Sequence, residues 1–161
     1  MPSILFICTA NQLRSPIAMA CFNKKLRTVG WKSDWQVSSA GTWTTPGIPT
    51  TPAVLDVAKK LGLSLEDHRT TSVTAELISK SDLVLVMERN HKEALQNEFP
   101  EARDRIFLFA EVVDTRAYEV PDPAGGSPES YEQVSRQLSE MVERGFYKVC
   151  TQALRLRKKS H

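Results

Sequence analysis

The sequence predicts an α/β fold: a three-layer sandwich with a central four-stranded parallel sheet flanked by helices. Three dense apolar runs, residues 4–8, 83–87 and 106–110, have the character of short strands buried on both faces. Between them lie segments whose apolar residues recur at helical spacing. Strands that alternate with amphipathic helices form a parallel sheet, joined by right-handed crossovers and covered on both faces.

Taken in order, the first run (4–8) is followed by a polar stretch, Thr9 to Arg14, and then by Ser15-Pro16. Serine before proline reads as a helix start, with Ser15 at the cap and Pro16 at the first helical position. Residues 35–40 alternate apolar and polar, as an edge strand does, and 41–51 are rich in Thr, Pro and Gly and read as a loop. Residues 52–61 place Ala53, Val54, Val57, Ala58 and Leu61 on one helical face, and Gly62 stops the helix. A short helix is expected over 73–78, a buried strand over 83–87, a helix over 88–99 ended by Pro100, and a fourth strand over 106–109. Residues 121–128 form a turn-rich loop with Asp-Pro and Gly-Gly, and 131–154 form a long helix. The loop after the first strand, Cys8 to Arg14, is where a ligand would sit, because ligands of such sheets lie beyond the carboxyl ends of the strands.

At 161 residues the chain is expected to be one domain over 1–154 with a basic tail over 155–161. Lys and Arg number 21 against 19 acids, a net of +2 too small to argue for nucleic acid or a membrane surface. Apolar runs of five residues are too short for a membrane span or a secretory leader. Three widely spaced cysteines (Cys8, Cys21, Cys150) make no disulfide framework and point to a reducing, cytoplasmic compartment.

The chemistry concentrates in Cys8-Thr9-Ala10-Asn11-Gln12-Leu13-Arg14-Ser15-Pro16. A cysteine ends a buried strand, five residues intervene, and an arginine opens a helix. Backbone N–H groups of a tight strand-to-helix loop make an anion nest, and the helix behind presents its unpaired first N–H groups. The same field favours the thiolate of Cys8. Arg14 can grip two phosphate oxygens as a fork. A nucleophilic sulfur, a phosphate cradle and an arginine in one loop are the parts of a phosphoryl-transfer site. The spacing alone recurs by chance in unrelated proteins; the strand before it and the Ser-Pro after it supply the context this chemistry requires.

This stretch resembles the signature of the low-molecular-weight protein tyrosine phosphatases. Ser39-Ala40-Gly41-Thr42, His68-Arg69, the run from Ser81 to Met87, and Pro121-Asp122-Pro123 follow in that family's order. The resemblance implies a flavodoxin-like strand order, 2-1-3-4. It also implies a phosphocysteine intermediate on Cys8 and binding of phosphate by Thr9, Ala10, Asn11, Gln12, Leu13, Arg14 and Ser15. Asp122 would act as general acid and then general base. It implies that Asn11 holds the loop, Ser15 donates to the Cys8 sulfur, His68 bonds to Asn11, and Trp43 forms part of the crevice wall. No metal or other cofactor is expected. The expected partners are a phosphorylated protein or small aryl phosphate, with inorganic phosphate as product, and neither nucleic acid nor a membrane.

The chain departs from the family's pattern in three places. Ala10 stands where glycine is usual, and a positive φ there would strain alanine by roughly 1 kcal/mol. Leu13 replaces a cysteine that many members carry. After Asp122-Pro123, where tyrosines often flank the substrate, the chain reads Ala124-Gly125-Gly126, so one aromatic wall is expected to be missing. Two other readings are an arsenate reductase of the same fold, whose relay cysteines are absent from 87–99, and a phospho-binding module without catalysis. The choice among phosphotyrosine, phosphoarginine and small phosphoesters stays open.

Overall fold

The apolar run that opens the chain forms β1 (Ser3–Cys8), and all six of its residues are buried. It lies between β2 (Gln36–Gly41) and β3 (Leu83–Val86), and β4 (Ile106–Leu108) pairs with β3. The order is therefore 2-1-3-4 and every pairing is parallel, as expected. The structure is a computed structural model and describes residues 1–123 and 125–159. Ala124 of the loop after Pro123, and Ser160 and His161 of the tail, lie outside the described residues.

Successive β1 side chains feed opposite cores, as the pleat requires. Ile4, Phe6 and Cys8 join a core with residues of α1 (Arg14–Thr28), α2 (Pro52–Lys60), α5 (Phe109–Asp114) and α6 (Pro128–Lys159). Leu5 and Ile7 join a smaller core with Ile78 of α3 (Ala75–Lys80) and Leu95 of α4 (Arg89–Glu98). In the larger core, Phe6 meets Phe109 edge-on at 5.3 Å and Phe22 meets Phe146 at 4.9 Å, spacings at which aromatic pairs attract. Among the described residues no helix is long and apolar enough to cross a membrane.

Four local expectations are corrected. Helix α1 begins at Arg14, with Leu13 as its cap and no side-chain cap bond, so Ser15 and Pro16 lie inside the first turn. Ser15 cannot cap because its hydroxyl is engaged by Asn11 and the Cys8 sulfur. Helix α3 starts at Ala75, since Thr74 caps it by accepting from the Leu77 N–H at 3.1 Å, while the Val73 N–H pairs with the Gly41 carbonyl. Strand β4 stops at Leu108, and Phe109 starts α5, a helix the sequence reading passed over. Its start is fixed locally: Glu111 Oε1 accepts from the Leu108 N–H at 2.8 Å. Helix α6 runs beyond its expected ends at both sides. Residues 155–159, set apart as tail, are its last turns, with Leu156 buried and Arg157 donating to the Met1 carbonyl at 2.8 Å.

Candidate active site

The loop from β1 to α1 turns at Asn11, whose φ of 59° lies in the left-handed region. Asparagine tolerates that region better than most side chains. Asn11 and Thr115 are the described non-glycine residues with positive φ, so the strain expected at Ala10 falls on Asn11 instead. Asn11 is fully buried and its amide is fully used. Nδ2 donates to Ser15 Oγ at 2.8 Å and Ser39 Oγ at 2.9 Å, and Oδ1 accepts from the Thr71 N–H at 2.9 Å. His68 Nε2 donates to the Asn11 carbonyl at 2.9 Å. Gly41 at the end of β2 lets the loop lie close: a Cβ there would stand 2.5 Å from the Thr9 carbonyl oxygen and 3.1 Å from Asn11 Cβ.

Two consequences bear on chemistry. Among the described residues, the backbone N–H groups of residues 10–15 find no protein acceptor, which leaves them to an anion. Ser15 Oγ, which accepts from Asn11, stands 2.9 Å from Cys8 Sγ and 3.4 Å from the Ala40 carbonyl. Its one hydrogen serves the sulfur when Cys8 is a thiolate, which can only accept.

Arg14 is 2 % exposed. Nη1 donates to Glu88 Oε2 at 2.7 Å and to the Val120 carbonyl at 3.0 Å. Nη2 lies 3.4 Å from Thr9 Oγ1 and 3.7 Å from Asp122 Oδ2. Of the five N–H donors of a guanidinium, these contacts occupy both on Nη1 and one on Nη2. Among the described residues no hydrogen bond takes the Nε–H, and Nη2, beside it on one edge of the fork, also faces Asp122 at ion-pair distance. Burying a charge this deeply requires a partner, and Glu88 supplies it.

A crevice of about 120 Å³ opens over the sulfur, bordered by Cys8, Leu13, Arg14, Asp122 and Tyr131, with Thr51 and Val54 of the α2 start on one side. Of the loop residues expected to bind phosphate, Ala10, Gln12, Leu13 and Arg14 border this crevice. Thr9, Asn11 and Ser15 turn their side chains to supporting bonds. The Asp122 side chain is 46 % exposed at the rim, beside Pro123. Trp43, expected in the crevice wall, does not line this space: it is 82 % exposed, on a turn fixed by its N–H to the Thr9 carbonyl at 3.0 Å. The aromatic wall expected to be missing is supplied by Tyr131, which the first turns of α6 bring to the crevice from eight residues beyond Pro123.

Glu88, His91, Thr71 and Tyr131 were not singled out as site residues from the sequence, and Ser39 only as part of the Ser39-Ala40-Gly41-Thr42 segment. Glu88 carried a usable signal, an acid at the carboxyl end of a buried strand in a sheet of this kind. Thr71 contributes only a backbone N–H, which no residue pattern reveals.

The chain matches the family model described as low molecular weight phosphotyrosine protein phosphatase over residues 3–159. It is 34% identical over 139 residues to a protein-arginine-phosphatase of Bacillus subtilis (strain 168), covering 86% of this chain and 91% of that one. It is 36% identical over 136 residues to the low molecular weight protein-tyrosine-phosphatase Etp of Escherichia coli (strain K12), covering 84% and 86%. Among solved structures, a cysteine-to-serine mutant of the YwlE arginine phosphatase with a phosphorylated active-site serine superposes with a TM-score of 0.87 at 32% identity, covering 96% of this chain and 99% of that one. The chain belongs to the low molecular weight phosphotyrosine protein phosphatase family.

Proposed function

We propose that this family member hydrolyses phosphomonoesters of proteins through a phosphocysteine on Cys8. The observation that carries the reading is the convergence of Cys8, Arg14 and Asp122 on one small crevice beneath unpaired backbone N–H groups. The Cys8 sulfur attacks phosphorus in line, forming the S–P bond as the bond to the leaving oxygen breaks. The Nε/Nη2 edge of Arg14 and the N–H groups of residues 10–15 hold the equatorial oxygens as charge spreads over them. Asp122 gives its proton to the leaving oxygen, then takes one from the water that attacks phosphorus. Inorganic phosphate leaves, and the Cys8 thiolate is restored with the Ser15 hydroxyl beside it. A relative trapped with phosphate on its active-site serine supports the covalent step.

No metal enters this scheme, because Arg14 and the loop supply the positive field. Relatives named for phosphotyrosine and for phosphoarginine leave both substrate types in play, and the Tyr131 wall suits a planar group of either kind; with phosphoarginine, a phosphoramidate, the bond that breaks is P–N and Asp122 protonates the leaving nitrogen in place of oxygen. Three free cysteines fit a cytoplasmic, reducing setting. The deciding experiment is turnover of p-nitrophenyl phosphate. Wild type is expected to turn over in the presence of EDTA, with a phosphate adduct on Cys8 in quenched samples by mass spectrometry. Cys8→Ser is expected to bind inorganic phosphate without turnover. Activity retained by Cys8→Ser overturns the reading. Side-by-side kinetics on phosphotyrosine and phosphoarginine peptides then assign the substrate.

A further inference from the structure

His91 takes no part in the chemistry above, yet it is 2 % exposed and touches two supports of Arg14. Helix α4 opens with its first residues tied together: His91 Nδ1 accepts from the Glu88 N–H at 3.2 Å, the His91 N–H donates to Asn90 Oδ1 at 2.9 Å, and His91 Nε2 lies 3.7 Å from Glu88 Oε2. A ring nitrogen that accepts carries no proton, so the hydrogen of the neutral ring sits on Nε2. Nε2 lies 2.8 Å from Thr9 Oγ1 and donates to it. That same oxygen stands 3.4 Å from Arg14 Nη2, while Glu88 Oε2 holds Arg14 Nη1 at 2.7 Å. One ring thereby ties down the anchor on each terminal nitrogen of the guanidinium.

The groups facing the ring are Glu88 on its own helix, Arg14 on α1, and Asp122 and Glu119 on the segment after α5. Burial pushes the imidazole below its ordinary pKa and Arg14 adds to this, against the pull of Glu88, Asp122 and Glu119. A protonated ring would set an Nδ1–H against the Glu88 N–H and open the pair that starts α4.

We propose that His91 is a positioning residue for Arg14: as the Nε2–H tautomer it fixes Thr9 and Glu88, and so keeps the Nε/Nη2 edge of the guanidinium turned to the phosphate. The inference rests on the reading of this loop as a phosphate site. It differs from a packing role because it predicts coupling between His91 and Thr9, 82 residues apart in the chain, that is read in phosphate affinity.

The test is a double-mutant cycle on the affinity for inorganic phosphate, measured by isothermal titration, with kcat/KM read alongside. His91→Asn keeps an acceptor for the Glu88 N–H but is too short to reach Thr9; Thr9→Val removes Oγ1 and keeps the shape. Each is expected to weaken phosphate by about tenfold, the effect of losing one bond in a charged network, with the double variant no weaker than the worse single. Nitrogen-15 NMR of the wild-type ring is expected to show the Nε2–H tautomer. The inference is overturned by an Nδ1–H tautomer, by single variants within about twofold of wild type, or by effects that multiply in the double variant. Should His91→Asn not fold, Thr9→Val and the tautomer decide. Wild type that binds phosphate without turnover would sink the phosphatase reading alone; turnover with an additive cycle would sink the positioning role alone.

Discussion

At the carboxyl end of β1, Asn11, Arg14 and Ser15 are as buried as Phe6, Phe22 and Phe146 in the seam where α1, α5 and α6 pack on the sheet. The two regions are held by opposite means. In the loop, Asn11 uses its whole amide, Arg14 has Glu88, and Ser15 bridges Asn11 to the sulfur. In the seam, rings pack on rings, and the two buried side-chain atoms without a partner among the described residues, Asn23 Oδ1 and Ser135 Oγ, belong to α1 and α6. The cysteines show what this difference does. Burial pushes the Cys21 thiol up to about 11 and the Cys150 thiol up to about 12, so both stay protonated. Cys8 is buried too, but its sulfur has a polar neighbour, Ser15 Oγ at 2.9 Å. Polar satisfaction, and not depth, separates the loop from the core.

The sharpest way to break this comparison is at the acid. Asp122→Asn is expected to slow hydrolysis of aryl phosphates by ~10²–10⁴ while leaving phosphate affinity in place, read from kcat and product inhibition. Full activity in that variant would remove Asp122 from the site. One substitution in each region then tests their independence. Phe146→Ala in the seam should cost about 3–5 kcal/mol by urea denaturation and leave kcat/KM of the folded protein near wild type. Gly41→Ala beneath the loop should cost activity out of proportion to stability, because its Cβ would push on the Thr9 carbonyl, a backbone atom; a displacement of that kind costs kcat/KM on the order of tenfold or more. If the two variants lose stability and activity in the same proportion, the regions are not distinct.

A smaller effect sharpens the account of the loop. Asn11→Gly permits the same φ but removes three side-chain bonds, so it isolates the network from the backbone strain. A stability loss of about 1–3 kcal/mol is expected, since it leaves buried partners unsatisfied. Unchanged stability would mean that backbone conformation alone keeps the loop in place. The smallest effect lies on the far side of the seam. Arg144 first, then Tyr118, hold the Asp114 carboxyl well below the usual carboxylate range. A carboxyl depressed on folding stabilises above its unfolded pKa of about 4, and that contribution fades as pH falls through the lower folded value. Asp114→Asn should therefore lower Tm modestly at pH 7, by a margin that shrinks below about pH 4. A margin that does not change with pH would assign the loss to packing.

The sequence by itself determined the sheet. Strands buried on both faces leave long apolar runs, and alternation with amphipathic helices left few topologies, so β1, β3 and the loop at the end of β1 were legible at once. The reading of Cys8 and Arg14 came from the strand before their loop and the Ser-Pro after it, and that of Asp122 from the family resemblance, since an Asp-Pro alone is an ordinary turn; the structure sets all three on one crevice. Helix α5 was not, since a three-residue strand running straight into a six-residue helix offers too short a window for periodicity. The partners of Arg14 were settled only in three dimensions. Glu88 and Val120 stand 74 and 106 residues away in the chain and reach it because the parallel sheet gathers the ends of its strands on one edge. The same gathering set Tyr131 in the crevice and left Trp43 outside it. Which aromatic ring faces the sulfur depends on where a helix starts and which way a turn is pinned, and those are decided by packing and backbone hydrogen bonds that residue types alone do not encode.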